Sequence, residues 1–339
     1  MRFFYCLLVW IGVTCYVSYA CKEYQPDGSC VDLENEYDGD KNEDEKKKYI
    51  ESPSKKGETT PHWTYHGEHG PASWHKINPA CDAHWNQRQS PIDFVKRRTI
   101  IDSDLGKLQL VNFDLVPEGL FEIRNDGHSV VVTLTPDWFH TKAVHLPPGT
   151  FSAAQFHFHW GSQKHLGSEH LIQGKQYHAE MHIVHFNLKY GTLAEAAKYP
   201  DGLLVLGVWL ETTDTVPANQ AYNLVLDHFS KVQYEDHKSG MPGFAIGKLL
   251  PTNVDRYFKY EGGLTTPGCL GSVTWIVFRE PVQLSKGQMN MFYSLKASHD
   301  NEPIEYLLNN FRPVQDLGSR VIFDTQADDD RVAKIPNIQ

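Results

Sequence analysis

The chain has 339 residues, of which 40% are hydrophobic and 22% charged, and this composition excludes a collagen, a coiled coil and a wholly disordered chain. It carries 42 acidic and 32 basic side chains, a net charge of −10, which argues against nucleic acid as a partner. The 18 histidines are the less ordinary number, because histidine is the commonest metal ligand and carries protons near neutral pH.

The first twenty residues have the pattern of a secretory signal peptide. Arg2 supplies a positive charge, an apolar run follows over residues 3–13, and Ser18 and Ala20 are small residues where a signal peptidase cuts. An uncleaved membrane anchor is the alternative. We expect a secreted, extracellular protein with no membrane span once residues 1–20 are removed.

Residues 21–60 form an acidic extension with twelve Asp or Glu, seven Lys and few apolar residues. Such a segment has little to bury, so we expect it to be solvated and flexible. A plain linker is the favoured interpretation, and a calcium- or mineral-binding tail is the alternative. The part at 32–45 is the feature that suggests association with an extracellular or mineral matrix, and hence biomineralization.

Four cysteines remain after signal cleavage: Cys21, Cys30, Cys81 and Cys269. An even number in an oxidising compartment predicts two disulfides, for which three pairings are open. Proximity in sequence favours a bond between Cys21 and Cys30, which leaves Cys81 and Cys269 as a long-range pair.

From Trp63 onward aromatic residues are frequent, and short β-type runs alternate with turns rich in Gly, Pro and Asn. We predict strands at Ser129–Thr135, Ala154–Trp160, His178–Phe186, Leu203–Leu210 and Val273–Phe278. We predict helices at Leu193–Lys198, Asn219–Ser230 and Ser285–Lys296. The pattern indicates one mainly β (α+β) domain over residues 61–326, followed by a polar tail at 327–339.

The densest cluster of candidate site residues lies in the run Gln155–Trp160. Alternate side chains of a strand share a face, which places His157 and His159 together with Gln155. The aromatic residues between them face apolar packing on the other side. Two imidazoles at positions i and i+2 of a strand are placed to bind one metal ion.

The run His178–Phe186 follows the same rule, because Glu180 and His182 share one face while His185 points to the other, as a core histidine would. Three neutral imidazoles leave the fourth tetrahedral position of Zn²⁺ free for water, which is typical of a catalytic site. Gln155 and Glu180 precede a histidine by two residues, where an acceptor can hold an imidazole N–H. We predict one Zn²⁺ per chain on three ligands: His157, His159 and His182.

Two other zinc signatures are excluded by spacing. A zincin needs His-Glu-x-x-His on a helix, whereas residues 178–182 have the glutamate one position late in a β-type run. A zinc deaminase combines His-x-Glu with Pro-Cys-x-x-Cys, and Pro267–Ser272 lacks the second cysteine.

Eight short segments occur in the order found in one known family: Gly70–Trp74, Gln89–Asp93, Gln155–Gly161, Gly167–His170, Glu180–Asn187, Leu264–Pro267, Val273–Trp275 and Asn310–Pro313. Over roughly residues 61–326 the chain resembles the α-class carbonic anhydrases of the secreted animal type. The resemblance implies a single domain around a large twisted, mostly antiparallel central sheet with short peripheral helices. It implies a zinc carbonate dehydratase, a lyase that hydrates CO2 reversibly to bicarbonate and a proton by attack of zinc-bound hydroxide.

The resemblance also implies roles for particular residues. Thr265, held by Glu169, would accept the hydrogen bond of the hydroxide, His128 would be the proton shuttle, and Tyr65 matches a cleft tyrosine. The groups that orient the ligand histidines would be Gln155, Glu180 and the backbone of Asn310. The residues that contact CO2 would be Val184, Val205, Leu264, Thr265, Thr266 and Trp275. Cys81 and Cys269 match the disulfide of exported members.

Val131 and Asp126 stand where many fast members of this family carry asparagine, so turnover rate and inhibitor profile do not follow from the resemblance. A function of another class is an inactive anhydrase-like domain used for binding in an extracellular matrix. Inactive relatives usually lack a metal-binding histidine, whereas this chain keeps all three together with Thr265 and Glu169. The enzyme is therefore the favoured hypothesis.

Overall fold

The computed structural model describes residues 62–143, 145–213 and 215–325, and strands dominate them. The predicted signal peptide, acidic extension, polar tail and the pairing of Cys21 with Cys30 lie outside these residues. The strands of the described part are β1 (Asp93–Phe94), β2 (Thr99–Ile101), β3 (Gln109–Val111), β4 (Leu120–Asn125), β5 (Val130–Thr133), β6 (His140–Lys142), β7 (Phe151–Trp160), β8 (Leu171–Ile172), β9 (Ala179–Asn187), β10 (Leu203–Thr212), β11 (Lys238–Pro242), β12 (Tyr257–Gly262), β13 (Val273–Phe278), β14 (Val282–Leu284) and β15 (Ile322–Asp324).

The described helices are short. The α-helices are α1 (Leu193–Ala196), α2 (Gln220–Leu226) and α3 (Lys286–Phe292). Short 3₁₀ turns lie at Gly67–His69, Pro71–Lys76, Pro79–Cys81, Lys96–Arg98, Ser103–Leu105, Leu188–Tyr190, Phe229–Lys231 and Ile246–Leu249. Ser285 begins α3 with a capping box, in which its hydroxyl accepts from the Gln288 amide and the Gln288 side chain accepts from the Ser285 amide. In the described ranges, no helix combines the length and the apolar character that crossing a membrane requires.

Thirteen of the described strands form one large sheet, whose main order is β11-β4-β5-β7-β9-β10-β13-β12-β15-β2. Strand β14 also pairs with β10, and β6 joins β3 to β7. Neighbouring strands are antiparallel except in the pairs β10–β13, β10–β14 and β15–β2. The predicted fold, a large and mostly antiparallel sheet with short peripheral helices, is confirmed.

The central strands bury apolar side chains on both faces of the sheet. Phe156, Phe158 and Ile183 belong to the larger core, and Val184 belongs to a second apolar cluster on the opposite face. The pairing of β7 with β9 shifts register near Ala153, as a β-bulge does. Beyond the bulge, alternate side chains of both strands therefore share a face. The predicted ligand histidines lie on the face of the sheet that carries the second apolar cluster.

His185 is a core histidine, as its position on β9 predicted. Its ring is fully buried and stacks on Phe113, with 6.1 Å between the ring centroids. Nδ1 donates to the carbonyl of Ile183 at 3.0 Å, so Nε2 accepts from the Thr141 hydroxyl at 3.1 Å. Both ring nitrogens are thus hydrogen-bonded in the neutral form.

This neutral histidine predicts a loss of stability in acid. Burial lowers the pKa of His185 to about 4, whereas an unfolded histidine titrates near ~6.5. Between these values the unfolded chain binds more protons, so the contribution is fully present above pH ~6.5 and is lost as the pH falls toward 4. We expect His185 to lose about 2.5 kcal/mol of stabilisation between pH ~7.5 and ~4.5. Denaturant unfolding over this pH range should show that the difference in free energy of unfolding between wild type and His185→Gln narrows by that amount. A difference that does not change with pH would refute the assignment.

Candidate functional site

The three predicted ligand histidines meet on one face of the β7–β9 pair. His157 lies directly opposite His182 in the strand register, and His159 lies two residues further along β7. Their ring centroids are 4.7 to 5.3 Å apart, and one nitrogen from each ring lies within 4.8 Å of the others. His159 and His182 are buried, while His157 is partly exposed. One metal ion can be shared by this group.

Each of these rings has its second nitrogen held by an acceptor. The acceptors are Gln155 Oε1 for His157 Nδ1 (2.9 Å), the Asn310 carbonyl for His159 Nδ1 (2.8 Å) and Glu180 Oε1 for His182 Nε2 (2.7 Å). Because these oxygens accept, the hydrogen-bonded nitrogens carry the protons and the other nitrogens keep their lone pairs. His159 Nε2 is buried and has no hydrogen-bond partner among the described residues. An unpartnered buried nitrogen of this kind fits a metal ligand.

Glu180 is the centre of a buried hydrogen-bond chain behind His182. Its Oε1 also accepts from His170 Nδ1 at 2.7 Å, and its Oε2 accepts from the His170 amide at 2.8 Å. His170 Nε2 continues the chain to the Tyr260 hydroxyl at 2.7 Å, which lies 2.7 Å from Ser90 Oγ. Burial raises the pKa of Glu180, but His170 and His182 lower it further, so the net pKa is far below its usual range. Both ring nitrogens of His170 are hydrogen-bonded, so neither is free to bind a second ion.

Glu169 is fully buried beside the histidines. Its Oε1 accepts from the Arg312 amide at 2.8 Å. Its Oε2 has no hydrogen-bond partner in the described ranges and lies 3.5 Å from His159 Nε2 and 3.9 Å from His182 Nδ1. Thr265 is also buried, but the described structure has no hydrogen bond between it and Glu169. The anionic oxygen faces the imidazoles instead, so the Thr265–Glu169 bond stays a prediction.

An apolar wall adjoins the histidines. Val184, Val205 and Trp275 are neighbours across β9, β10 and β13, and each is at most 5% exposed. Leu264 packs against the same cluster, and the Trp275 ring lies 4.8 Å from that of His182. Four of the predicted substrate-contacting residues therefore share one surface. Thr266 lies in the same loop as Leu264, where its carbonyl accepts from the Cys269 amide at 3.0 Å.

His128 lies half-buried against an aromatic cluster near the site. Its ring stacks on Trp63 at 3.6 Å between centroids, and Trp63 contacts Tyr65, whose ring is 6.5 Å from that of His159. Asn310 Nδ2 donates to the His128 carbonyl at 2.9 Å, so the residue that orients His159 also holds this turn. Sequence reasoning missed Trp63 and the role of His170, since no local pattern distinguishes either from an ordinary aromatic or core residue.

The charges around this turn act on two titratable groups. Burial lowers the pKa of His128, and the Asp126 carboxylate partly offsets this. Burial, followed by the charges of Glu169 and Asp126, raises the pKa of Tyr65 well above its usual value, so the phenol stays protonated. Asp126 Oδ1 also accepts from the amides of His128 and Ser129, which fixes the turn. Asp126, which stands where many fast members of the family carry asparagine, therefore adds a negative charge beside the predicted shuttle His128.

Comparison with known proteins agrees with this geometry. A family model described as eukaryotic-type carbonic anhydrase matches residues 69–326. The chain belongs to the eukaryotic-type carbonic anhydrase family. Carbonic anhydrase 7 of Mus musculus is 38% identical over 262 residues, which cover 77% of this chain and 96% of the relative. Carbonic anhydrase 7 of Homo sapiens matches with the same identity and coverage.

As a carbonic anhydrase, the protein is a zinc-dependent carbonate dehydratase, a lyase whose small-molecule substrates are CO2 and bicarbonate. The three-histidine cluster could hold the metal on which the family depends. Val131, one of the two residues that replace an asparagine found in many fast family members, pairs directly with His157 across β5 and β7. It puts an apolar side chain beside the three-histidine cluster, where an asparagine would offer hydrogen bonds.

The predicted disulfide between Cys81 and Cys269 is present and joins residues 188 positions apart, with 4.9 Å between the Cα atoms. It ties the loop that carries Thr265 to the 3₁₀ turn Pro79–Cys81. Arg312 supports the same region, because its Nη1 donates to the Ser90 carbonyl at 2.8 Å and its Nη2 to the Cys81 carbonyl at 3.3 Å. The loop that carries Thr265 is thus tied covalently to a turn that buried hydrogen bonds from Arg312 support.

Proposed function

We propose that the protein is a secreted carbonic anhydrase in which His157, His159 and His182 hold one zinc ion and His128 moves protons between the site and solvent. The observation that carries the proposal is the set of three imidazole nitrogens that the acceptor bonds leave unprotonated. One of them, His159 Nε2, is buried without a partner among the described residues.

The protonation of these histidines suits a metal site. Burial lowers the pKa of His157 and of His159, so both stay neutral and able to donate a lone pair. The Glu180 carboxylate accepts from His182 and makes that ring a stronger donor. Zinc, when bound, acts as a Lewis acid that lowers the pKa of coordinated water, chemistry for which carbonic anhydrases are the standard example.

Thr265 would orient the attacking oxygen through Glu169. A carboxylate can only accept, so a Thr265 hydroxyl that donates to Glu169 must turn its lone pair toward the nucleophile. The Arg312 amide holds the other oxygen of Glu169 in place. CO2, which has no charge, would rest on the apolar wall formed by Val184, Val205, Leu264 and Trp275, with Thr266 at its edge.

His128 would carry the proton that each turnover releases. Its lowered pKa keeps the ring neutral near pH ~7, ready to accept a proton, and its half-buried position leaves one side open to solvent. Tyr65 stays protonated and lies between Trp63 and His159, where it can support ordered water in the cleft.

Replacing His128 with alanine tests the shuttle. We expect CO2 hydration to slow by about tenfold or more in dilute buffer, since an intramolecular proton carrier is lost. Concentrated imidazole buffer should restore the rate. His75→Ala, which removes an exposed histidine, is the matched control and should behave as wild type. Equal rates for His128→Ala and wild type at every buffer concentration would contradict the assignment.

Secretion is supported by the signal-peptide pattern of residues 1–20 and by the Cys81–Cys269 disulfide, because disulfides persist in oxidising compartments. Expression of the full chain in secretory cells should release a protein whose N-terminus is Cys21. Retention of the full-length chain inside the cells would contradict this part of the proposal. Matrix association through residues 32–45 is a further proposal, tested by the loss of mineral binding when those residues are deleted.

A further inference from the structure

A cavity lies away from the proposed metal-binding histidines. It has a volume of about 420 Å³ and opens where the loop after β7 (residues 162–166) faces α3, the end of β10 and the residue before β9. This volume is within the range of small-molecule sites, about 300 to 1,000 Å³. Neither the metal site nor the proton path uses any of its lining residues.

The charge of the lining favours an anion. Lys164, His165, His178 and Lys286 line the cavity, and no lining residue of the described chain is Asp or Glu. Lys164 forms no ion pair within the described ranges, so its ammonium group can serve a ligand. A carboxylate that enters therefore meets the two lysines of the lining and no acidic side chain of it.

Two polar side chains, those of Thr212 and His178, belong to the lining. Thr212 Oγ1 is buried without a hydrogen-bond partner among the described residues. His178 Nδ1 accepts from the Thr212 amide at 3.3 Å, so the neutral ring carries its proton on Nε2. Burial lowers the pKa of His178, which favours this neutral form. Thr212 Oγ1 can reach a ligand only if its side chain rotates toward the cavity, and the ligand would then recover the free energy that an unpartnered buried hydroxyl costs.

Apolar side chains complete the lining. Met289 is 1% exposed, and Leu166 and Tyr293 add surface beside it. Burial raises the pKa of Tyr293, so its ring enters the lining as an uncharged aromatic. An anion with an apolar body therefore matches this cavity better than a bare inorganic ion. We propose that the cavity binds a small aromatic carboxylate, with its carboxylate toward Lys164 and Thr212 and its ring against Met289 and Tyr293.

The loop over residues 162–166, which forms one wall of the cavity, is held by close backbone contacts at both of its ends. A Cβ added to Gly161 would clash with the His165 carbonyl oxygen, and one added to Gly167 would clash with the Gly161 amide nitrogen. Gly161 accepts from the Asn309 amide at 3.0 Å, and the Gly167 amide donates to Tyr177 at 2.9 Å. A wall that is already ordered loses little entropy on binding, which favours measurable affinity.

Titration of the zinc-loaded full chain with 2-naphthoate, followed by calorimetry and amide NMR shifts, tests the proposal. We expect saturable binding with shifts at residues 162–166 and 286–293. The neutral isostere 2-naphthamide should bind about tenfold or more weakly, because it lacks the charge-assisted bonds. Lys164→Gln and the isosteric Thr212→Val should each weaken 2-naphthoate binding, the lysine change by about tenfold. The matched control Lys231→Gln removes an exposed lysine elsewhere and should change affinity by less than about twofold.

Three results would overturn the proposal: equal affinity for the acid and the amide, equal effects of Lys164→Gln and Lys231→Gln, or shifts confined to the face of His157. Binding of 2-naphthoate should be unchanged in His157→Ala, because the cavity does not need the metal. If that variant does not fold, unchanged CO2 hydration in Lys164→Gln would show in the same way that the cavity and the metal site are independent. Failure here would leave the proposed enzymatic function intact.

Discussion

Replacement of His157 with alanine is expected to remove both the bound zinc and the CO2 hydration activity. The variant keeps two of the three proposed imidazole ligands, which no longer complete the proposed metal site. Loss of the metal removes several kcal/mol of transition-state stabilisation, so the rate should fall by at least about a thousandfold. Elemental analysis and stopped-flow CO2 hydration on the same samples measure both effects.

The control for this variant is His185→Gln. It removes an imidazole from β9, the strand of His182, but on the face that belongs to the larger core. It should retain zinc and activity even though it is less stable. If His157→Ala kept one zinc per chain at a normal rate, or if His185→Gln lost zinc equally, the ligand assignment would be wrong.

Replacement of Thr265 with alanine is expected to keep the zinc and lose most of the rate. Removing one oriented polar group from a reacting centre costs about a hundredfold or more. Thr265→Ser keeps the hydroxyl and should retain most of the activity. The rate constant should be measured together with zinc content, so that a metal-loss effect is recognised.

Glu169→Gln tests the predicted hydrogen bond from the Thr265 hydroxyl to the Glu169 carboxylate, which is not present among the described residues. A glutamine amide can donate as well as accept, so it no longer forces the Thr265 lone pair toward the nucleophile. We expect a loss similar to that of Thr265→Ala, and a double variant no worse than either single one. Normal turnover in Glu169→Gln would show that Thr265 does not act through Glu169.

Much of the candidate site could be predicted from local rules. Alternation along two strands was enough to place His157, His159 and His182 on one face and His185 on the other. The bounds predicted for Val273–Phe278 are those observed, and the other four predicted strands differ by a few residues at their ends. These strands carry strong apolar and aromatic patterns, so local propensity and burial agree.

Other elements were missed or misjudged. β4, which was not predicted, alternates buried Phe121 and Ile123 with exposed Glu122 and Arg124, a period-two pattern that the sequence carries. The helix predicted over Asn219–Ser230 ends at Leu226 and gives way to a 3₁₀ turn, because helix ends depend on local capping more than on periodicity.

The long-range supporting contacts do not follow from residue patterns in the sequence, and the role of the Asn310 backbone was expected only from the family resemblance. Asn310 lies 151 positions from His159 and 182 from His128, yet bonds to both. The chain from Glu180 through His170 and Tyr260 to Ser90 joins residues up to 170 positions apart. No periodicity links such positions, because the pairing of distant strands and loops brings them together.

The most direct test of the central claim is a zinc titration of the metal-stripped full chain, with CO2 hydration followed at each addition. We predict that the rate rises in proportion to bound zinc and stops rising at one zinc per chain. Binding of one zinc per chain without any rate above that of buffer would contradict the account and favour an inactive, binding domain.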